Sequence, residues 1–376
     1  MNASFRAAFD FKSGFMQNRK STPTVHRSVL ITMDGLCGSR GNDFGMKNSP
    51  QHFCRSINHI YKHNDNLHIH IDDANAFTGS YPSFFKSMAS FLLKTEEHHG
   101  YLKIAKLQIA PKRFKAVGHL FEGKTRRPDD SRLAALKEIA PAKTKSHVRS
   151  ILGMFVFWDE YILGLQKINK PIRDLLVDEV KTPSTPRRTK GPVRWTPEAD
   201  AALRRLKEMV LTKAVLAIPD YSQIDAEHPL DLYTDASAIA QGFILVQTTL
   251  DGKRHLLQCG SRAIPRTKRH RHINYLEIDA IPWAHDKCDR IIALQPVRNN
   301  FDSRNIHWFV KNAKVKLSAD WSRLSMSVQH RSIVAWRFVK GIDNEMSNIF
   351  TRFTNEHVEQ KQKLLTGEEL FPGQTN

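Results

Sequence analysis

Two adjacent carboxylates, Asp72 and Asp73, follow the alternating run His68-Ile69-His70-Ile71 in the stretch HIHIDDANAF. Like charges this close repel each other, so the pair calls for a physical reason. A hard divalent cation needs carboxylate oxygens, and binding one would cancel the repulsion. The plainer reading is a polar turn, since Asp is a common turn residue and most Asp-Asp pairs are nothing more. Both readings put the pair at the tip of a β-hairpin. Leu67, Ile69 and Ile71 would share one strand face, His68 and His70 the other. Ala74 to Phe77 would form the return strand, and the two histidines read as surface residues.

Elements that could position further chemistry lie in the second half of the chain. Thr196 can cap a helix with Pro197 at its first position, which places Leu203, Leu206 and Val210 on one face. Strands are expected at 230–235, 243–247 and 255–261, the last two joined by an Asp251-Gly252 turn. A helix is expected near 275–292, then a strand around 304–310. The Pro-, Thr- and Arg-rich stretch KTPSTPRRTKGPVR reads as an extended linker over 181–194. The last residues, 356–376, read as a frayed tail.

Composition narrows the partners. Fifty-seven Lys and Arg against 38 Asp and Glu give a formal charge of +19 over 376 residues. Such an excess points to a polyanion, most commonly nucleic acid, with a generic basic surface as the alternative. The longest apolar run, Ile151 to Trp158, is cut by Asp159 and Glu160, so no membrane span is expected. No secretory signal is read at the N-terminus. The four cysteines are scattered without a CxxC pair, which argues against a disulfide framework or zinc knuckle and for a reducing compartment. Cytoplasm and nucleus both fit.

In order along the chain stand FDFKSGFMQ, FGMKNSPQHF, HIHIDDANAF, Lys106, FKAVGH, RRPDDSRLAAL and KSHVRSILGMFVFWDEYI, then LYTDASAIAQGFILVQ and SRAI. This series resembles the reverse transcriptase of LTR retrotransposons, most closely the Gypsy type, with its tethered ribonuclease H. The resemblance covers roughly residues 5–352. It implies an α+β polymerase palm over 1–118 and a thumb or connection segment over 119–180. After the linker it implies a ribonuclease H-like α/β domain with a five-stranded mixed sheet over 195–355.

The resemblance also assigns roles. Asp10, Asp72 and Asp73 match the palm aspartates that hold two metal ions for nucleotidyl transfer. Phe15 matches the aromatic gate under the sugar of the incoming nucleotide. Gly45, Lys47, Asn48 and Pro50 match the segment against template and nucleotide. Lys106 matches a lysine near the departing pyrophosphate, and FKAVGH the primer-grip hairpin. Phe15 as plain core and Lys106 as a solvated charge are the alternatives. Asp235, Glu277 and Asp302 match three carboxylates of the ribonuclease H metal site, and Asn348 falls where the family has a fourth, Asp. Asp279 and Asp343 read as solvated.

The implied function is RNA-directed DNA polymerase with ribonuclease H activity, from a retrotransposon pol polyprotein. Such a nucleotidyltransferase and endonuclease would use Mg2+ or Mn2+, with RNA template, DNA primer, RNA-DNA hybrid and dNTPs as partners. The alternatives are a non-catalytic nucleic-acid-binding relic and a decayed reading frame.

Several departures bear on activity. His70 stands where the family has Tyr or Phe, and Asn42-Asp43 where it has Met-Pro. The family's fingers precede the first palm aspartate, and only nine residues precede Asp10 here. The expectation is an N-terminally truncated palm, a poor processive polymerase unless other parts of the polyprotein supply the fingers. Pro282 would cost a helix interior roughly 3 kcal/mol unless the helix starts there.

Overall fold

A computed structural model describes residues 5–162, 164–176, 191–237, 240–301, 306, 319–329 and 331–339. Two compact units divide between Gly123 and Lys124.

In the first unit, strands β1 (Phe5–Asp10), β4 (Leu67–His70), β5 (Asp73–Thr78) and β6 (Gln108–Ile109) form one sheet in the order β4-β5-β1-β6. The hairpin expected from HIHIDDANAF is present. Leu67 pairs with Ala76 and His70 with Asp73, and His68 and His70 are exposed. Helices α1 (Gly14–Gln17), α2 (Ser49–Tyr61) and α3 (Tyr81–Glu97) accompany the sheet. Phe53, Ile57 and Tyr61 of α2 and Phe84 and Phe91 of α3 bury themselves against Phe9 and Phe11. The small residues Ala7, Ala74 and Ala76 on the sheet make room for those rings.

A second hairpin, β2 (Val29–Thr32) with β3 (Gly35–Gly38), was not expected from the sequence. Its strands are exposed throughout, so no burial pattern announced it. The FKAVGH segment is a hairpin of β7 (Arg113–Ala116) and β8 (His119–Glu122). Its two-residue loop, Val117 and Gly118, has positive φ at both positions, which matches the twist of the flanking strands. The hairpin keeps 119–122 with the first unit, beyond the expected palm boundary at 118.

The second unit starts with β9 (Thr125–Pro128), paired antiparallel with β10 (Leu216–Ala217). Helices α4 (Asp130–Lys137), α5 (Lys145–Val156), α6 (Leu165–Ile168) and α7 (Lys170–Asp174) follow, then α8 (Pro197–Lys213). Thr196 caps α8 as expected, its hydroxyl accepting from the Ala199 N–H at 3.2 Å. Leu203, Leu206 and Val210 enter one core with Val148, Phe155, Trp158 and Ile162. Residues 191–193, at the end of the expected linker, are tied back: Gly191 O accepts from Lys145 N and Val193 N donates to Lys143 O, both at 3.0 Å.

The five-stranded mixed sheet is ordered β13-β12-β11-β14-β15. Strands β11 (Leu230–Ala236), β12 (Ala240–Thr248) and β13 (Arg254–Ala263) form an antiparallel meander, while β14 (Val297–Phe301) and β15 (Ile333–Phe338) add in parallel. The strand expected around 304–310 falls, but for Ile306, outside the described residues. A strand lies at 297–301, and Ile306 is helical. Asn299 and Asn300 are buried inside this strand, Asn300 Nδ2 donating to Asp231 Oδ1 at 3.0 Å. Two buried polar residues in succession, one on each face of the strand, break the apolar pattern by which a strand is read. Helix α9 (Ile273–Ile292) packs on the sheet, and α10 (Ala319–Gln329) packs with it. Helix α9 runs through Pro282 rather than starting there.

Candidate functional site

Asp10 ends β1 and Asp73 begins β5, and the antiparallel register sets them directly opposite. Asp72 is fixed next to them, its carbonyl accepting from the Phe11 N–H at 2.9 Å. The turn between β4 and β5 holds Ile71 at φ 58°. That left-handed conformation is a steric outlier for a β-branched residue, and such strain concentrates at functional sites. Asp10 is nearly buried, and Lys106 Nζ lies 2.5 Å from its Oδ2. This hydrogen bond raises the pKa of the Lys106 ammonium. Burial first, then the Asp72 and Asp10 charges, raise the pKa of Asp73.

Two clefts meet at these carboxylates. One, about 400 Å³, is lined by Asp10, Asp72, Phe15, Phe44, Lys103 and Lys106, among others. The other, about 390 Å³, takes Asp10, Asp73, Lys106 and the tip of the β7–β8 hairpin at Lys115 to Gly118. Phe15 is half-buried, 5.7 Å from each of the Phe44 and Phe53 rings, so it belongs to the core margin and the cleft wall together. Lys47 and Asn48 are exposed at the entry to α2 and line neither cleft. Sequence reasoning missed Phe44 and Lys103 as lining residues. Phe44 stands beside Gly45 in a segment already singled out, which was the available signal.

In the second unit, Asp235 is buried on the central strand β11, its Oδ1 accepting from the Ala236 N–H at 2.8 Å. Glu277 lies in the first half of α9. Their neighbours Ala236 and Leu276 pack in one small cluster with Ile264. Asp302, Asn348 and Asp343 lie outside the described residues. Asp279 corrects an expectation. It is buried rather than solvated, with Arg262 at 2.7 Å and Lys268 at 2.8 Å from its carboxylate.

The carboxylate oxygens of Asp10, Asp72 and Asp73 are donors of the kind a hard divalent cation takes, and an ammonium is already drawn to Asp10. Among the described residues no three His, Cys, Asp or Glu side chains are gathered as a metal cage. Among them, too, no helix is long and apolar enough to cross a membrane.

Comparison with known proteins gives the class. Residues 195–298 match the profile of an RNase H-like domain found in reverse transcriptase. The chain is 23% identical over 76% of its length to the retrovirus-related Pol polyprotein from transposon opus of Drosophila melanogaster. It is 22% identical over 77% to that from transposon gypsy of the same species, and 23% over 93% to the enzymatic polyprotein of cauliflower mosaic virus. It spans about a third or less of the two transposon polyproteins, 28% and 27%, and half of the viral one. A foamy viral protease-reverse transcriptase, solved in complex with an RNA/DNA hybrid, shares the fold. Its TM-score is 0.72 at 15% identity, covering 94% of this chain and 46% of that one. The resemblance read from the residues is thereby borne out. The second unit carries an RNase H-like domain of the reverse-transcriptase type, in a chain whose homologues are Gypsy-type and other retroelement Pol polyproteins. These families work with divalent metals.

Proposed function

We propose that this chain is the palm, connection and ribonuclease H portion of a retroelement Pol polyprotein, extending a DNA primer on RNA and hydrolysing the RNA of the resulting hybrid. The observation that carries the polymerase reading is the register of β1 and β5, which opposes Asp10 to Asp73 with Asp72 at the adjoining turn. These three carboxylates would hold Mg2+ or Mn2+. The cation would supply Lewis-acid activation of the primer hydroxyl and neutralise phosphate charge. Phe15 would lie under the sugar of the incoming dNTP, from its place in the cleft wall beside Asp10 and Asp72. Lys106 would turn from Asp10 toward the departing pyrophosphate. The β7–β8 tip, at the second cleft, would support the primer end. Lys47 and Asn48 would contact template or nucleotide from the exposed entry to α2. In the second unit Asp235 and Glu277, with Asp302 and Asn348, would hold the metals for RNA hydrolysis. RNA template and hybrid would be retained by the basic surface, and other parts of the polyprotein would complete the nucleotide site.

Primer extension tests this. A DNA primer on an RNA template is incubated with dNTPs and Mg2+ beside an Asp72→Ala, Asp73→Ala double variant. Extension is expected from the parent and lost by more than about 100-fold in the variant, since even supporting groups around a metal contribute 10- to 100-fold. A folded parent that binds the hybrid but extends nothing, alone or with the rest of the polyprotein supplied, would leave only a binding relic.

A further inference from the structure

Helix α9 carries a defect and a repair. Pro282 cannot donate to the carbonyl of Ile278, and its ring crowds that carbonyl, yet the helix continues on both sides. Two side chains from the sheet reach the turn just before it. Gln241 of β12 donates to the Leu276 carbonyl at 2.5 Å. Arg262 of β13 donates to the Asp279 carbonyl at 3.2 Å and to its carboxylate at 2.7 Å. Arg262 Nε also donates to Gln241 Oε1 at 2.5 Å, locking the two together. The guanidinium lies 4.6 Å from the Trp283 ring, directly after the proline, and Lys268 takes the other Asp279 oxygen. The two carbonyls so held bracket Glu277.

We propose that Arg262 is a positioning residue: with Gln241 it clamps the turn of α9 that presents Glu277, offsetting the break made by Pro282. The clamp needs a planar fork that bonds in two directions while stacking on a ring, which Arg supplies and Lys does not. The placing of the clamp stands on geometry alone, and its consequence for metal binding rests on the ribonuclease H reading above.

Amide hydrogen exchange on the full chain tests the clamp, in Arg262→Lys, Arg262→Ala, Pro282→Ala and the Arg262→Lys, Pro282→Ala double variant. Arg262→Lys keeps a cation for Asp279 and is the variant to rely on if Arg262→Ala fails to fold. Exchange over 276–281 is expected to quicken about tenfold in Arg262→Lys, the scale of a lost charge-assisted hydrogen bond. The change is expected to be confined to that stretch, and Pro282→Ala in the same background should reverse it by restoring the helical N–H. Unchanged exchange in Arg262→Lys, or no reversal by Pro282→Ala, overturns the clamp. Mn2+ titration of the same variants reads the consequence. Half-saturation should rise several-fold in Arg262→Lys and return in the double variant, with Asp235→Asn as the control that lacks a ligand. A parent that binds no Mn2+ at Asp235 and Glu277 sinks the ribonuclease H reading while exchange still judges the clamp.

Discussion

Asp159 lies on a short 3-10 turn, Asp159–Tyr161, with its Oδ1 accepting from the Ser261 N–H at 3.3 Å. Burial outweighs that bond and the nearby Lys287 charge, and pushes the carboxyl up to about 7. A folded-state pKa above the unfolded one means that the folded state holds the proton more tightly. The favourable contribution is complete below about 4 and is lost as pH rises through about 7. Asp159→Asn keeps the acceptor and removes the ionisation. Urea denaturation should therefore show the variant more stable than the parent at pH 8, on the order of 2 kcal/mol, and close to it at pH 4. Equal stability at both pH values would mean that the carboxyl remains hydrated. Nothing in the sequence announced this residue, because burial of a lone Asp depends on what folds over it. The same holds for Asp279, whose partners Arg262 and Lys268 lie 17 and 11 residues away. Asp72 and Asp73 were legible because adjacent carboxylates at a hairpin tip are a local feature. Their association with Asp10, 62 and 63 residues distant, was supplied by resemblance, and the register of β1 and β5 sets Asp73 opposite it.

Elements with strong local signals were found in place. Thr196-Pro197 starts α8, Asp251-Gly252 turns between β12 and β13, and alternating or continuous apolar runs mark β11, β12 and β13. The elements missed lack such signals. Hairpin β2–β3 is exposed on both faces, and β14 buries two asparagines. Thr196→Ala should lower stability by about 1 kcal/mol in urea, the usual worth of an N-cap, while leaving the denaturant slope unchanged. Helix α1 offers a sharper test because it bears the cleft wall. A Cβ on Gly14 would stand 2.8 Å from Phe53 Cζ, and the Phe53 ring also supports Phe11 and Phe15. The ring must move or the helix must lift, at about 1–3 kcal/mol. Gly14→Ala should therefore destabilise the first unit and weaken dNTP use together, seen as a raised KM in primer extension. Loss of stability with KM unchanged would mean that Phe15 does not border the nucleotide.

At the scale of the whole molecule the governing quantity is charge. An excess of 19 positive charges makes phosphate neutralisation the main source of affinity in any nucleic-acid complex. Binding should then fall steeply and linearly in log–log form as salt rises. About a thousandfold is expected between 50 and 200 mM if six phosphates are engaged. The carboxylate cluster acts in the opposite sense without metal, since Asp10, Asp72 and Asp73 repel the backbone that must approach them. Removing two of those charges in the Asp72→Ala, Asp73→Ala variant should leave hybrid binding in EDTA equal or tighter, with the salt slope unchanged, while catalysis disappears. Fluorescence anisotropy with a labelled RNA–DNA hybrid across a salt series measures both quantities. A variant that loses binding along with extension would show that the pair holds the fold or the nucleic acid, and a flat salt response in the parent would show that its positive charge is spread over surfaces that never meet the phosphates.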